Sequence, residues 1–330
     1  MTSATPSHGG ANRRRPRLLT FSIAVFVGAV AACTPAATSS PAPSVAPTGT
    51  PAGSPAASPS AGASGAAGNT LSVTARDFAF DMPATAPAGI TTVSLKNTGQ
   101  EDHQAQIAKL NEGVTPDQLT QAMQNPDPSG MFRLITFAGG PTGAAPGSTV
   151  NTTSNLAPGS YVFLCFVESA DGLPHIAKGM VAPLQVTGSA STAELPATQT
   201  SVTAKDFEFQ VPATPLKAGK ATFTLENNGP QPHEATLVKL ASGVTVDQLK
   251  QMMSAPQPTA PAGSPAGTSA PAGPPPFTGA GGVAAISASS KANFEADLTA
   301  GNYALLCFVP DPASGAPHIA LGMIAPLTVQ

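Results

Sequence analysis

The 330-residue chain has no tryptophan, only two tyrosines, three cysteines and five histidines. Side chains able to do chemistry are few, and no Ser-His-Asp or Cys-His nucleophile signature stands out among them. Charge is scarce too: 15 basic and 18 acidic residues leave a formal net charge of -3. No Lys/Arg run follows Arg17. The electrostatic footprint of a nucleic-acid binder is therefore missing, and no nucleic-acid partner is expected. Long apolar runs end at Ala32, so no later segment is expected to span a membrane. Helix-period patterns are rare. What is abundant is proline, with 36 residues, and glycine, with 32.

The N-terminal stretch "NRRRPRLLTFSIAVFVGAVAAC" pairs a basic start (Arg13, Arg14, Arg15, Arg17) with an apolar run from Leu18 to Ala32. That length suits a signal-peptide core and is short for a membrane span. The run ends in Val30-Ala31-Ala32-Cys33, which resembles the bacterial lipobox. The resemblance implies removal of residues 1–32, lipidation of Cys33, and a protein anchored in the cell membrane on its extracytoplasmic side. The arginine cluster leaves the export route open between the general and the twin-arginine pathway. Residues 33–69 hold almost only Ala, Pro, Ser, Thr and Gly and cannot build an apolar face, so a disordered tether is expected. At about 3.1 Å per residue it could reach on the order of 100 Å.

Beyond the tether the chain repeats itself. "SVTARDFAFDMPATAPAG" returns as "SVTAKDFEFQVPATPLKAG", "LKNTGQEDHQAQIAKL" as "LENNGPQPHEATLVKL", and "GVTPDQLTQAM" as "GVTVDQLKQMM". A repeat this long marks a duplicated domain, not a solenoid. The expected domains are 70–188 and 199–330, joined by a linker at 189–198. The second copy carries an extra Pro/Gly/Ala-rich stretch at 254–282, expected as a disordered insertion in a surface loop.

Most of each copy reads as strand. "SVTARDFAF" alternates apolar and polar, "TTVSLKN" and "ATFTLEN" alternate and end at Asn-x-Gly turns, and "PGSYVFLCF" and "AGNYALLCF" read as buried strands. One short helix is expected per copy, opened by the capping boxes Thr115-x-x-Gln118 and Thr245-x-x-Gln248. The fold class is therefore all-β: two tandem Greek-key β-sandwiches, each with one short helix.

Each copy also holds one early histidine and a late Cys, His and Met in that order. These are His103, Cys165, His175 and Met180, then His233, Cys307, His318 and Met323. Every histidine except His8 belongs to this pattern. A thiolate and two neutral imidazoles, with a weak axial thioether, make a blue-copper site. Loops at one end of a sandwich converge, so donors far apart in sequence can meet. The other readings are a Cys165–Cys307 disulfide or a sandwich that keeps these residues without metal.

On "F-x-F…P…AG…N-x-G…H…G-x-Y…C…PH…GM", over about residues 70–188 and 199–330, the chain resembles the cupredoxins, the blue copper proteins. The resemblance implies two type 1 coppers per chain. His103, Cys165, His175 and Met180 would ligate one, and His233, Cys307, His318 and Met323 the other. Copper enzymes of this kind place His beside the type 1 Cys. Here Leu164 and Phe166 flank one cysteine and Leu306 and Phe308 the other, and no histidine remains for a further centre. The expectation is a non-enzymatic, lipid-anchored single-electron carrier that exchanges electrons with an unidentified redox protein. The alternatives are a copper capture or delivery lipoprotein with a copper-exchange partner, and a metal-free binding or structural lipoprotein.

Overall fold

The computed structural model describes residues 68–123, 129–213, 215–254 and 275–330. The signal-peptide segment, Cys33 and the tether through residue 67 lie outside these residues, as do positions 255–274 of the expected insertion. Among the described residues, no helix is long and apolar enough to cross a membrane.

The first repeat forms β1 (Asn69–Arg76), β2 (Ala79–Asp81), β3 (Thr85–Pro87), β4 (Gly89–Asn97), β5 (Gln106–Leu110), α1 (Pro116–Met123), α2 (Ser129–Phe132), β6 (Ile135–Phe137), β7 (Thr149–Leu156), β8 (Gly159–Leu164) and β9 (Val181–Thr187). The second forms β10 (Thr200–Lys205), β11 (Glu208–Gln210), β12 (Gly219–Asn227), β13 (His233–Leu240), α3 (Val246–Ser254), β14 (Phe277–Ile286), β15 (Lys291–Leu298), β16 (Gly301–Leu306) and β17 (Ile324–Val329). The class is all-β, as the alternation foretells.

Each repeat stacks two sheets. The first repeat pairs a front layer β2-β1-β4-β7 with a back layer β3-β9-β8-β5-β6. The second has β11-β10-β12-β15 in front and β14-β13-β16-β17 behind. The chain changes layer between β4 and β5 and again between β6 and β7, which is a Greek-key crossing. β4 shows why it lies where it does: Thr91, Val93, Leu95 and Asn97 are buried on one face while their neighbours are not. Burying Val93 or Leu95 stabilises the fold by roughly 1.5–3 kcal/mol each.

The two tyrosines have matching tasks. Tyr161 Oη donates to the Ala157 carbonyl at 2.8 Å, and Tyr303 Oη to the Thr299 carbonyl at 3.1 Å. Each is a tyrosine corner pinning the start of the strand that ends at the cysteine. The capping boxes form as well. The Thr115 N–H donates to Gln118 Oε1 at 2.8 Å, and the Thr245 N–H to Gln248 Oε1 at 2.9 Å. The first repeat departs from one helix per copy, because the four-residue α2 follows α1.

Two features were not foreseen. First, β14 takes in Phe277–Ile286 and pairs with β13, so ordered strand occupies the C-terminal part of the stretch read as an insertion. Its glycines misled the sequence reading. They suggest coil, yet a Cβ on Gly282 would sit 2.2 Å from the Ala235 carbonyl oxygen, so the strand can approach β13 only without one. Second, the two sandwiches share a sheet. β7 pairs antiparallel with β15, Thr152 opposite Phe294, which fuses the two front layers into eight strands. Pro141 bridges to Val283 nearby. Both pairs join equivalent positions of the two repeats, with the same spacing as Cys165 and Cys307, so the seam is a pseudo-two-fold contact. Gln106, almost fully buried, completes it. Its Nε2 donates to the Ala285 carbonyl at 2.9 Å, and its Oε1 accepts from the Ala285 N–H at 2.8 Å.

Candidate metal centres

Sequence-distant donors meet in both repeats. His103 lies on the loop from β4 to β5, held by reciprocal backbone hydrogen bonds with Ala144 at 3.0 and 3.1 Å. Asn97 shapes that loop. Its Nδ2 donates to the Glu101 and Ala144 carbonyls, and its Oδ1 accepts from the Gly99 N–H. Asn227 does the same in the second repeat for Gln231, Ile286 and Gly229. The Asn-x-Gly turn signal is thus also the device that presents the first histidine. Glycine is required there because a Cβ on Gly99 would fall 2.7 Å from His103 Nε2, and one on Gly229 2.8 Å from His233 Nε2.

Cys165 directly follows β8, and His175 opens a 3-10 turn, His175–Lys178, that closes on left-handed Gly179. Backbone hydrogen bonds lace the loop: His175 N–H to Val167 O, Ile176 N–H to Cys165 O, Met180 N–H to His175 O and Cys165 N–H to Met180 O. The second repeat repeats every one of these, from Val309, Cys307, His318, Ile319 and Met323. The Cys-to-His stretch is therefore tightly anchored at both ends despite its length.

His103 Nδ1 lies 3.1 Å from His175 Nδ1, and Cys165 Sγ lies 3.4 Å from His175 Nδ1 and 3.9 Å from His103 Nδ1. In the second cluster His233, Cys307 and His318 give 3.1, 3.4 and 3.9 Å for the corresponding pairs. Both histidine pairs, both cysteines, Met180 and Met323 are fully buried. Neither cysteine is in a disulfide. The expected histidine and cysteine donors thus meet in each repeat, with Met180 and Met323 buried at the end of the same loops, and the disulfide reading is overturned because each thiol points into its own cluster.

The far side of each imidazole fixes its tautomer. His103 Nε2 faces Asp77 Oδ1 at 3.1 Å, and His175 Nε2 faces Glu101 Oε2 at 2.9 Å. His233 Nε2 faces Asp206 Oδ1, and His318 Nε2 faces Gln231 Oε1 at 3.0 Å. Gln231 is oriented because its Nε2 donates to Asp311 Oδ1 at 3.0 Å. All four Nε2 atoms therefore carry the proton and donate. That leaves two bare Nδ1 lone pairs facing each other in each cluster, an arrangement that a shared cation satisfies. Donors about 2.0–2.3 Å from one ion in a trigonal or tetrahedral array stand about 3.3–3.7 Å apart, close to the observed spacings. A soft thiolate, two imidazoles and a thioether are the donor types of copper, so both clusters fit copper, one in each sandwich.

The electrostatics agree. Burial pushes the Cys165 thiol up to about 11 and the Cys307 thiol higher still. A thiolate forms there when a bound cation reverses that preference. Burial also pulls His103 and His233 below the ordinary histidine value, and His318 down to about 4. These three rings are thus neutral and ready to donate at pH 7. The same shift destabilises the metal-free fold in acid. Below about 6.5 the unfolded chain takes up protons that the buried rings refuse, so stability falls with pH, for His318 down to about 4. Burial raises the Glu234 carboxyl to about 7, which opposes this trend over the same range, so the test uses a Glu234→Gln chain: its metal-free thermal midpoint is expected to drop from pH 7 to pH 4, and a flat profile would contradict this assignment.

Asp77, Asp206, Glu101 and Gln231 escaped the sequence reading, as did two rings. Phe78 packs edge-on against His175 with centroids 5.1 Å apart, and Phe207 against His318 at 4.8 Å. The signal was present: Asp-Phe recurs in "ARDFAF" and "AKDFEF" at the turn of a hairpin. An acid beside an apolar ring, kept in both copies, has a partner to find.

No family model matches the sequence, and no curated protein matches it. Among solved structures, the chain is similar to a dithionite-reduced auracyanin from Roseiflexus castenholzii, at 26% identity over 37% of this chain and 99% of the other, with a TM-score of 0.25. It is similar to auracyanin A, a blue copper protein of Chloroflexus aurantiacus, at 20% identity over 37% and 100%, with a TM-score of 0.26. A copper-containing nitrite reductase from Thermus scotoductus matches at 12% identity over 79% and 61%, with a TM-score of 0.21. With scores this low, it is the side-chain geometry that defines the sites. In strand order and donor set the chain resembles the cupredoxins, twice over.

Proposed function

We propose that the protein is a two-centre copper carrier of single electrons, tethered to the outer face of the cell membrane through lipidated Cys33. His103, Cys165, His175 and Met180 would hold the first copper, and His233, Cys307, His318 and Met323 the second. The observation behind this reading is the pair of face-to-face Nδ1 lone pairs beside a buried thiol, present in both repeats. Copper, when bound, supplies a one-electron couple. The chain supplies a site whose geometry is fixed before the metal arrives: Nε2 hydrogen bonds lock the rings, and the laced loop locks the sulfur. A carrier needs this rigidity, since little then rearranges when the electron moves.

The reading is of a carrier and not of a catalyst. Every histidine except His8 is committed to a cluster, and the donors of both clusters are buried. The partner would be another redox protein, met at the far end of the tether.

Titration of the metal-free chain with Cu(II) is expected to reach two coppers per chain and to develop an intense visible thiolate band with each. A plateau at one copper would show that one repeat lacks a working site. Colourless binding of Cu(I) alone would favour capture or delivery instead.

A further inference from the structure

The two clusters match atom for atom at the donors but differ one layer out. Glu101 and Gln231 occupy equivalent positions, two residues before the first histidine of each repeat. In the first cluster the Glu101 carboxylate accepts directly from His175 Nε2 at 2.9 Å. In the second, the Gln231 amide accepts from His318 Nε2, and the carboxylate stands one step further away, as Asp311 behind the amide nitrogen. Asp311 itself stands where the first repeat has Ser169, four residues after the cysteine. The acid has thus changed places between repeats: Glu with Ser in one, Gln with Asp in the other. The first histidines do not differ in this way, since Asp77 and Asp206 fill the same role.

This exchange has a sign. A carboxylate on the imidazole N–H makes a charge-assisted hydrogen bond and strengthens the ring as a donor. Stronger donation and a closer negative charge both favour the more positive metal. An amide in the same place does so less, and a carboxylate held behind it acts from a longer range. Resting on the copper-carrier reading, we infer that Glu101 and Gln231 tune the two centres apart: the first has the lower potential, the second the higher, and a single electron on the chain settles on the second. Three other differences sit close to the metal. Glu234, beside Cys307 and accepting the Phe308 N–H at 2.8 Å, replaces Gln104 of the first repeat, Pro232 replaces Asp102, and Leu321 replaces Lys178.

The test is a redox titration of the full, copper-loaded chain, followed by its visible band. Cys307→Ser and Cys165→Ser variants report the first and second centre separately. Glu234→Gln, Asp102→Pro and Lys178→Leu are carried in all of them so that the histidine partners are compared with these charge differences removed. The first centre is expected to titrate at the lower potential. Glu101→Gln should raise it through about a tenfold loss of Cu(II) over Cu(I) preference, about 59 mV for one electron. Adding Ser169→Asp to Glu101→Gln rebuilds the second arrangement in the first repeat and should keep it near the second centre's value. Gln231→Glu with Asp311→Ser should lower the second centre by a similar amount. Equal potentials in the two centres, or a Glu101→Gln potential that does not rise, would overturn the inference while leaving the carrier reading intact. A chain that binds no copper, or shows no thiolate band, would overturn both.

Discussion

Replacing Cys165 by serine is expected to erase the visible band of the first centre completely, leaving about half the intensity of the loaded chain. Among the described residues, Cys165 supplies the only donor able to carry a negative charge in the cluster with the two Nδ1 atoms, at 3.4 and 3.9 Å. A serine hydroxyl keeps the size but not the readily lost proton or the soft, polarisable sulfur, so neither tight copper binding nor thiolate charge transfer survives. Cys307→Ser should do the same to the second centre, and the double variant should be colourless. The thioether should behave differently. Met323→Leu keeps the buried volume and would remove only a weak donor, so most of the second band should persist while the potential shifts. His318→Ala would remove one imidazole donor and should alter the spectrum. Absorption and electron paramagnetic resonance of the loaded variants check all five. A Cys165→Ser chain with both bands intact would remove the cysteine from the ligand set, and the repeated Cys, His and Met would need explaining as core and loop residues.

The donors could be read from the sequence because each is a rare residue in a chain poor in chemistry, and because the duplication shows every one of them twice. The strands could be read for the same reason that β4 buries alternate residues: a period of two needs no tertiary information. The partners on the histidines could not. Asp77 sits in a hairpin far from His103 in sequence, and only the folded approach of that hairpin, made possible by Gly99, joins them. The seam was hidden for a related reason. Thr152 and Phe294 alternate as residues of an edge strand would, and nothing local says that one edge will find the other. The Gly-rich run before Val283 was misread because glycine signals both coil and close backbone approach, and composition does not separate the two.

That second use of glycine yields the largest expected effect on stability. Gly140 and Gly282 are equivalent positions, each the last residue of an Ala-Gly-Gly run at the seam. Gly140 has φ +112, and a Cβ there would lie 2.0 Å from the Ala105 carbonyl oxygen and 2.8 Å from Ile107 Cγ1. Gly282 has φ +129, and its Cβ would meet the Ala235 oxygen at 2.2 Å and the Leu237 nitrogen at 2.9 Å. Alanine at either site forces an unfavourable backbone conformation, about 1–3 kcal/mol, and pushes apart main chains that have no side chain to rotate away, about 1–3 kcal/mol more. Each variant should therefore lose about 2–6 kcal/mol of unfolding free energy. Gly147 is the control. It has φ +78 with nothing within 4 Å of a new Cβ, so Gly147→Ala meets the conformational cost alone, about 1–2 kcal/mol. The damage should also reach the metal. Ala105 lies two residues after His103, and its N–H donates to the Pro141 carbonyl at 2.7 Å. Shifting that strand shifts the first histidine, so Gly140→Ala should weaken copper at the first centre, and Gly282→Ala, through Ala235 and His233, at the second. Denaturant unfolding of the metal-free variants, followed by copper titration of each, measures both effects. If Gly140→Ala and Gly282→Ala cost no more than Gly147→Ala, the close approach of strands at the seam is not what holds these glycines in place.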